Sequence, residues 1–388
     1  MGRKEKASYV AALRPRYLRS SREQKSKILD EMSATLGCHR KAAIRLIRPR
    51  KRPKRPGGRV GRPSLVTASD VQILERVVVL CDWPCGKRLQ AMLPLWLGHD
   101  EAAQGGYAAG QRERLLSLSP ATLDRHLAPA RKRAGIKGRC GTKPGSLLKT
   151  EIPLRTGPWE VDTPGYLEAD TVAHCGASMG GEFAWTLTAT DIVTTWTENR
   201  AVWHKQKTGV REAVEDIDQS LPFTIRGLDC DNGSEFINRT LVHYLAEHPD
   251  TPCFTRSRPY HKNDNAHVEQ KNWTHVRQLY GYGRIDNKDC IEAMNALYRT
   301  EWSQLQNFFK PTMKCIEKVR VGAKIVKRYD RPKTPLARLL DSGVLSDAQA
   351  AQYRALAASL NPIKLRDTIR TRIREITNIA SVTPLVRQ

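Results

Sequence analysis

The chain has 388 residues, and its 65 lysines and arginines against 40 acidic residues give a formal charge of +25 and a pI of about 9.9. That length exceeds a single small module, and the charge points to a polyanionic partner, nucleic acid first. No apolar run approaches the ~18 residues of a membrane span and the start lacks a signal-type apolar core, so a soluble intracellular protein with no membrane partner is expected. Nine scattered cysteines show no metal or disulfide spacing and read as free thiols filling small apolar spaces.

In chain order, Ser20 followed by Glu23 is a capping-box signature, opening a helix that turns Ile28, Leu29, Met32 and Leu36 inward and stops at Gly37. A second helix begins near His39, with Ala42, Ala43, Leu46 and Ile47 on its apolar side. Its basic side carries Arg40, Lys41, Arg45 and Arg48. Two helices across a glycine turn, the second basic, predict a DNA-binding helix-turn-helix unit over residues 1–50. The segment RPRKRPKRPGGRVGRP (48–63) holds eight basic residues, four prolines and no acid, so 51–63 is expected to be an extended basic linker. Its Arg52, Arg55, Arg59 and Arg62 would neutralise phosphates without reading sequence.

Two further helices are expected from Thr67 to about Leu97, broken at WPCG (83–86). Another starts at Ser119-Pro120, a cap serine followed by a first-turn proline. Together they predict a second helix-turn-helix unit over 64–137, with Arg125, Arg131 and Arg133 facing DNA, followed by a basic linker over 138–156. Strand texture follows: YLEADTVAH, FAWTLTAT with Phe183, Trp185 and Leu187 alternating with threonines, and TTWTENRAV. A helix (205–219), a strand (223–230), a helix (234–247) and a strand (253–257) then lead into a helix from about Asn265. The expected core over 157–305 is therefore a mixed five-stranded sheet with flanking helices. Beyond it, 306–388 reads as a small basic β region plus two helices, the last capped by Asn361-Pro362.

On the helix from Asn265, the apolar residues Ala266, Trp273, Val276 and Tyr280 mark one face, and Glu269 shares it. A carboxylate there costs several kcal/mol unless a cation meets it. Two more acids stand at strand ends: Asp170 in YLEADTVAH, and Asp231 in DNGSEF, whose Asn-Gly turn ends the strand. Three carboxylates with no partnering arginine repel one another unless hard divalent cations join them, which makes Mg²⁺ the expected cofactor. Two ions about 3.5–4 Å apart suit a phosphoryl transfer. Asp162 and Glu168 compete with Asp170 for the first position, and Asp229 with Asp231. The hairpin after Asp170 and the DNG turn after Asp231 decide for these two. Arg258, His261, Lys262, Asn263 and Lys271 surround the site as expected phosphate contacts.

The blocks PGYLEADTVAHCG, FAWTLTATDIVTTWTE, DCDNGSEFIN and RPYHKNDNAHVEQKNW, in that order over roughly 157–285, resemble the Asp-Asp-Glu catalytic core of the retroviral-integrase superfamily, and specifically its bacterial insertion-sequence transposases. The resemblance implies a ribonuclease-H-like fold, with Asp170 on the first strand, Asp231 after the fourth and Glu269 on the helix behind the fifth. It implies two Mg²⁺ ions, with Mn²⁺ as a substitute, held by Asp170, Asp231 and Glu269. It further implies a DNA transposase that binds terminal inverted repeats, cleaves the ends and joins the freed 3′-hydroxyls to target DNA. Such an enzyme works as at least a dimer in the nucleoid-associated cytoplasm. The interval from Asp231 to Glu269 is slightly longer than that family's usual one, implying an extended loop around 260–263. A zinc module like that of retroviral integrases is absent, and the helix-turn-helix units take its place. A non-cleaving DNA-binding regulator and a ribonuclease-H-type nuclease are the alternatives; the intact acid triad argues against the first and the basic helical extension against the second.

Overall fold

The computed structural model describes residues 2–48, 65–135, 161–204, 207–230, 236, 239–248, 253–256, 266–321 and 324–381. They fall into two compact units, 1–65 and 66–388, each described by itself. Among the described residues no helix is long and apolar enough to cross a membrane.

The first unit has three helices, α1 (Arg3–Arg19), α2 (Arg22–Leu36) and α3 (Arg40–Ile47), around Val10, Tyr17, Ile28, Leu29, Met32, Leu36, Ala43 and Ile47. The cap of α2 lies one residue later than the sequence suggested. Ser21 and Gln24 form the reciprocal box, while the Ser20 hydroxyl bonds back to the Arg16 carbonyl and finishes α1. Gly37, at φ 58°, ends α2 as expected, in the left-handed region that a side chain disfavours. Of the expected apolar side of α3, Ala43 and Ile47 are buried but Leu46 is exposed. Arg14 donates to the Leu46 and Ile47 carbonyls, so α1 satisfies the end of α3.

In the second unit, α4 (Ala68–Leu80), α5 (Gly86–Ala103), α6 (Gln111–Leu116) and α7 (Pro120–Arg133) do not stand apart from the sheet. Leu74, Leu93, Trp96 and Leu127 belong to the same buried core as Leu187 and Leu228. The connection is also polar: Trp96 Nε1 donates to the Phe309 carbonyl at 3.2 Å and Arg88 Nε to that of Pro311 at 2.8 Å. Asp82 receives Lys310 Nζ at 2.7 Å and Arg366 at 2.5 Å. These helices share one buried core with the sheet and with the C-terminal helices.

The sheet has the order β3-β2-β1-β4-β5, with β1 (Tyr166–Ala173), β2 (Ala184–Asp191), β3 (Thr197–Trp203), β4 (Gly227–Cys230) and β5 (Cys253–Arg256). The first three strands are antiparallel; β4 runs parallel to β1 and β5 to β4. This is the expected mixed five-stranded sheet. Helices α8 (Lys207–Ser220) and α9 (Arg239–Glu247) link β3, β4 and β5. Next come α10 (Ala266–Lys271), a π-helical stretch (Asn272–Arg277) and α11 (Gln278–Tyr280). A second composite helix follows: α12 (Cys290–Leu297), a π-helical stretch (Tyr298–Trp302) and α13 (Ser303–Phe309). The hairpin β6 (Cys315–Val321) and β7 (Lys324–Tyr329) precedes α14 (Pro335–Asp341), α15 (Asp347–Ser359) and α16 (Pro362–Ser381).

Strand β2 is buried throughout, so its threonines need partners. Thr186 meets His174 Nε2 at 2.8 Å and the Tyr298 hydroxyl at 2.9 Å, and Thr188 accepts from Asn199 Nδ2 at 2.9 Å. The outer strand β3 is closed by two side-chain amides. Asn295 accepts from the Ala201 N–H and donates to its carbonyl, at 2.7 and 3.0 Å. Asn307 treats Thr197 the same way, at 3.0 and 3.0 Å, so the composite helix stands in for a sixth strand.

The entry to β1 depends on Gly165, whose φ is +119°. Its N–H donates to Asp191 Oδ1 at 2.9 Å and its carbonyl accepts from the N–H groups of Arg226 and Gly227 at 2.8 and 3.1 Å. A Cβ there would lie 2.5 Å from the Thr224 carbonyl oxygen. Gly165→Ala is therefore expected to destabilise the second unit by about 2–4 kcal/mol, read as a lowered midpoint in thermal unfolding. An unchanged midpoint would refute this account of the β1–β4 junction.

Candidate active site

Alternation along β1 puts Leu167 and Ala169 into the apolar core and Glu168 and Asp170 on the opposite face. Both acids are met by the helix that follows β5. Glu168 is buried, and its Oε2 accepts from the backbone N–H of Val268 at 3.3 Å. Asp170 is half-buried; its Oδ1 accepts from the Thr171 N–H at 2.7 Å and its Oδ2 from Asn272 Nδ2 at 2.5 Å. Val268 and Asn272 lie four apart on this helix and bracket Glu269 in sequence.

The parallel register sets Glu168 opposite Asp229 and Ala169 opposite Cys230, so β4 stops one residue short of Asp231. Asp229 is buried and accepts from Thr255 Oγ1 at 2.6 Å. Asp231 and the side chain of Glu269 lie outside the described residues, as do Arg52, Arg55, Arg59, Arg62, Arg258, His261, Lys262 and Asn263. Among the described residues no three acids, histidines or cysteines form a metal-binding group.

One atom beside Asp170 bears on whether a hydrated cation fits. Asn272 donates through its amide nitrogen, which leaves its Oδ1 buried with no hydrogen-bond partner among the described residues. A buried acceptor without a donor costs about 1–3 kcal/mol. A water brought in by a hard cation on Asp170 would supply that donor. Asn272 was not among the residues singled out from sequence, although its place three residues after Glu269 puts it on a neighbouring part of the helix surface.

No family model matches the sequence. The chain is 38% identical over 336 residues to the uncharacterized protein y4rM of Sinorhizobium fredii (strain NBRC 101917 / NGR234), covering 85% of this chain and 93% of that one. The chain belongs to the y4rM family. Among solved structures it is similar to the catalytic core domain of BIV integrase. That likeness has a TM-score of 0.30 and 14% identity, and covers 49% of this chain and 98% of the other.

In this member of the y4rM family, the helix carrying Glu269 buries only part of the expected face, with Val276 buried and Tyr280 packed against the core. Val268, Lys271, His275 and Val276 are buried, whereas Trp273 is 46% exposed. The cause is the π-helical stretch that starts at Asn272, whose wider turn shifts every later position around the axis. Lys271 was expected at a phosphate and is instead turned inward, with Nζ donating to the Thr195 carbonyl at 3.2 Å. His275 is held neutral by burial, well below its ordinary value. Burial likewise pushes His174 down to about 3, so this ring stays a neutral partner of Thr186.

The other described cations fall into two groups. Lys41, Arg45 and Arg125 are exposed. Arg40 pairs with Asp30 at 2.9 Å, Arg133 with Glu75 at 2.8 Å, and Arg131 with Asp124 at 2.6 Å and the Pro84 carbonyl at 2.5 Å. These three tie helices together in this structure.

Burial pushes the Lys271 ammonium down to about 7. Its folded value then lies below the unfolded value near 10.4, so between them the unfolded chain binds more protons and stability rises with pH. Relative to Lys271→Met, the wild-type protein is expected to gain stability from about pH 7 to about pH 10, measured by urea unfolding across that range. Parallel pH profiles for the two proteins would show that Lys271 is not desolvated.

Proposed function

We propose that the chain is a DNA transposase of the Asp-Asp-Glu kind. It would bind the inverted repeats at the ends of a mobile element, cleave the strand there and join the freed 3′-hydroxyl to target DNA. The observation that supports this most directly is the hydrogen bond from Asn272 to Asp170. It fastens the first acid of the motif to the helix that bears the third, which is what a site assembled from distant parts of the sequence requires. The β1–β4 register supports it further, because it sets Cys230, the residue before the second acid, opposite Ala169, the residue before the first.

Asp170, Asp231 and Glu269 would hold the cations, with Mg²⁺ as the natural pair and Mn²⁺ as a substitute. Bound there, they supply Lewis-acid activation of a nucleophile and stabilisation of the charge developing at phosphorus. The protein's own part is to aim the carboxylates. Asn272 and the Thr171 N–H fix both oxygens of Asp170, and Glu168 holds the start of α10 through the Val268 N–H. The exposed Lys41, Arg45 and Arg125 are proposed phosphate contacts, as are the basic residues of 51–63 and of 258–263. Because two ends must be joined together, the working form is proposed to be at least a dimer, acting at the bacterial nucleoid.

The test uses a duplex carrying the DNA that flanks the coding region. With Mg²⁺ the purified protein is expected to nick it at the element end and to yield a joined product, and chelation should stop both. Asp170→Asn should lower the rate at least about 100-fold, and Asn272→Ala should weaken the Mg²⁺ requirement curve by about 10–100-fold, the scale on which groups supporting a metal ligand act. Equal cleavage by wild type and Asp170→Asn would end this reading.

A further inference from the structure

The turn between β2 and β3 holds a conformation that its residues do not favour. Thr195 has a φ of 63°, in the left-handed region where a β-branched side chain is strained. Such strain persists where the surroundings over-determine it, and Asp191 does so here. Its Oδ2 accepts from the N–H groups of Val193 and Thr194 at 3.1 and 2.6 Å and from the Thr194 hydroxyl at 2.7 Å. Its carbonyl accepts from the Thr195 N–H at 2.9 Å.

Three parts of the chain are tied to this turn. Asp191 Oδ1 accepts from the Gly165 N–H, which fixes the entry to β1, the strand of Glu168 and Asp170. The segment after α13 reaches the turn twice. Thr312 meets Thr195 hydroxyl to hydroxyl at 2.7 Å, and Lys314 Nζ donates to the Val193 carbonyl at 3.0 Å. That segment is held in turn by Arg88 at the Pro311 carbonyl and by Arg338 at that of Thr312, at 2.8 and 3.0 Å. The third part is the helix of Glu269, through Lys271 Nζ and the Thr195 carbonyl.

Lys271 is a costly way to fill its space. It is 7% exposed, and the partner its ammonium meets is a neutral carbonyl, which offsets only part of the desolvation. A methionine of similar length would fill the same space without that penalty. What the lysine adds is direction. Val268 and Asn272, the two contacts of this helix with β1, lie four residues apart and so along one line of its surface. Two points on a line leave a helix able to roll about its axis. Lys271 lies off that line and reaches a different strand connection, which makes it the third point.

We infer that Lys271 is a positioning residue, which sets the roll of the helix of Glu269 against the strained Thr195 turn. This rests on the proposed function only in taking Glu269 to be catalytic. Because the same turn fixes the entry to β1, the strand of the first acid and the helix of the third are referred to one point.

The experiment follows amide hydrogen exchange of residues 266–280 by mass spectrometry, in the full chain at pH 7 without DNA or divalent metal. Lys271→Met is expected to speed exchange in that stretch at least about 10-fold, as loss of a charge-assisted bond gives, while the urea midpoint is unchanged or raised. Thr312→Val is expected to speed the same stretch about threefold, although its hydroxyl bonds the turn and not the helix. In strand cleavage with Mg²⁺, Lys271→Met is expected to lower kcat about 10–100-fold with the KM for duplex unchanged, the split that a misplaced catalytic group produces. Unchanged exchange in either variant overturns the positioning role. So does faster exchange throughout the unit with a lowered midpoint, which is a packing role alone, or a raised KM with unchanged kcat, which would make Lys271 a duplex contact. Faster exchange confined to 266–280, in a protein whose wild type cleaves no duplex, would instead remove the transposase reading and leave the tether standing.

Discussion

Two carboxylates on the middle strand of a buried sheet need donors, and in this protein one helix supplies a donor to each. Val268 N–H reaches Glu168 and Asn272 Nδ2 reaches Asp170, so the helix after β5 is seated on β1 by the very groups whose charge it must offset. The arrangement of the site follows from that seating. Helix α10 is short, and Lys271 at its end and His275 in the π-helical stretch beyond it both lie inward, where burial disfavours their charged forms. Lys271 therefore serves as an anchor on the Thr195 carbonyl, while amide donors of the same helix meet the carboxylates on β1.

Much of the secondary structure was legible because its signals are local. The stop at Gly37, the Ser119-Pro120 start of α7, the β1–β2–β3 succession and the Asn361-Pro362 start of α16 each depend on a few adjacent residues, and each stands where the pattern put it. Strand β4 is shorter than the pattern suggested, with only Gly227–Cys230 paired, because Phe223–Arg226 approach the sheet outside the ladder. Helix α6 lay hidden in a stretch read as loop. Its six residues are too few for a periodic signal, and it is held by the Arg114–Asp70 pair, 44 positions apart.

The fusion of 66–135 with the rest had no local signature at all. It depends on contacts such as Trp96 with the Phe309 carbonyl and the meeting of Lys310 and Arg366 at Asp82, which join positions more than two hundred residues apart. At the candidate site the same distinction holds. The residue types and order of the acids were readable, and so was the shared strand face of Glu168 and Asp170. The role of Asn272 was not, because it depends on where a π turn begins. The inward turn of Lys271 escaped because it depends on the Thr195 carbonyl, 76 positions away, that receives its ammonium.

The amide pairing of Asn295 and Asn307 with β3 has a topological consequence. An open sheet edge is a template on which a foreign strand can add, and here that template is already filled along β3 by side chains from a helix. Strand addition at β3, from another protomer or from a peptide, would first have to displace these amides from Thr197 and Ala201.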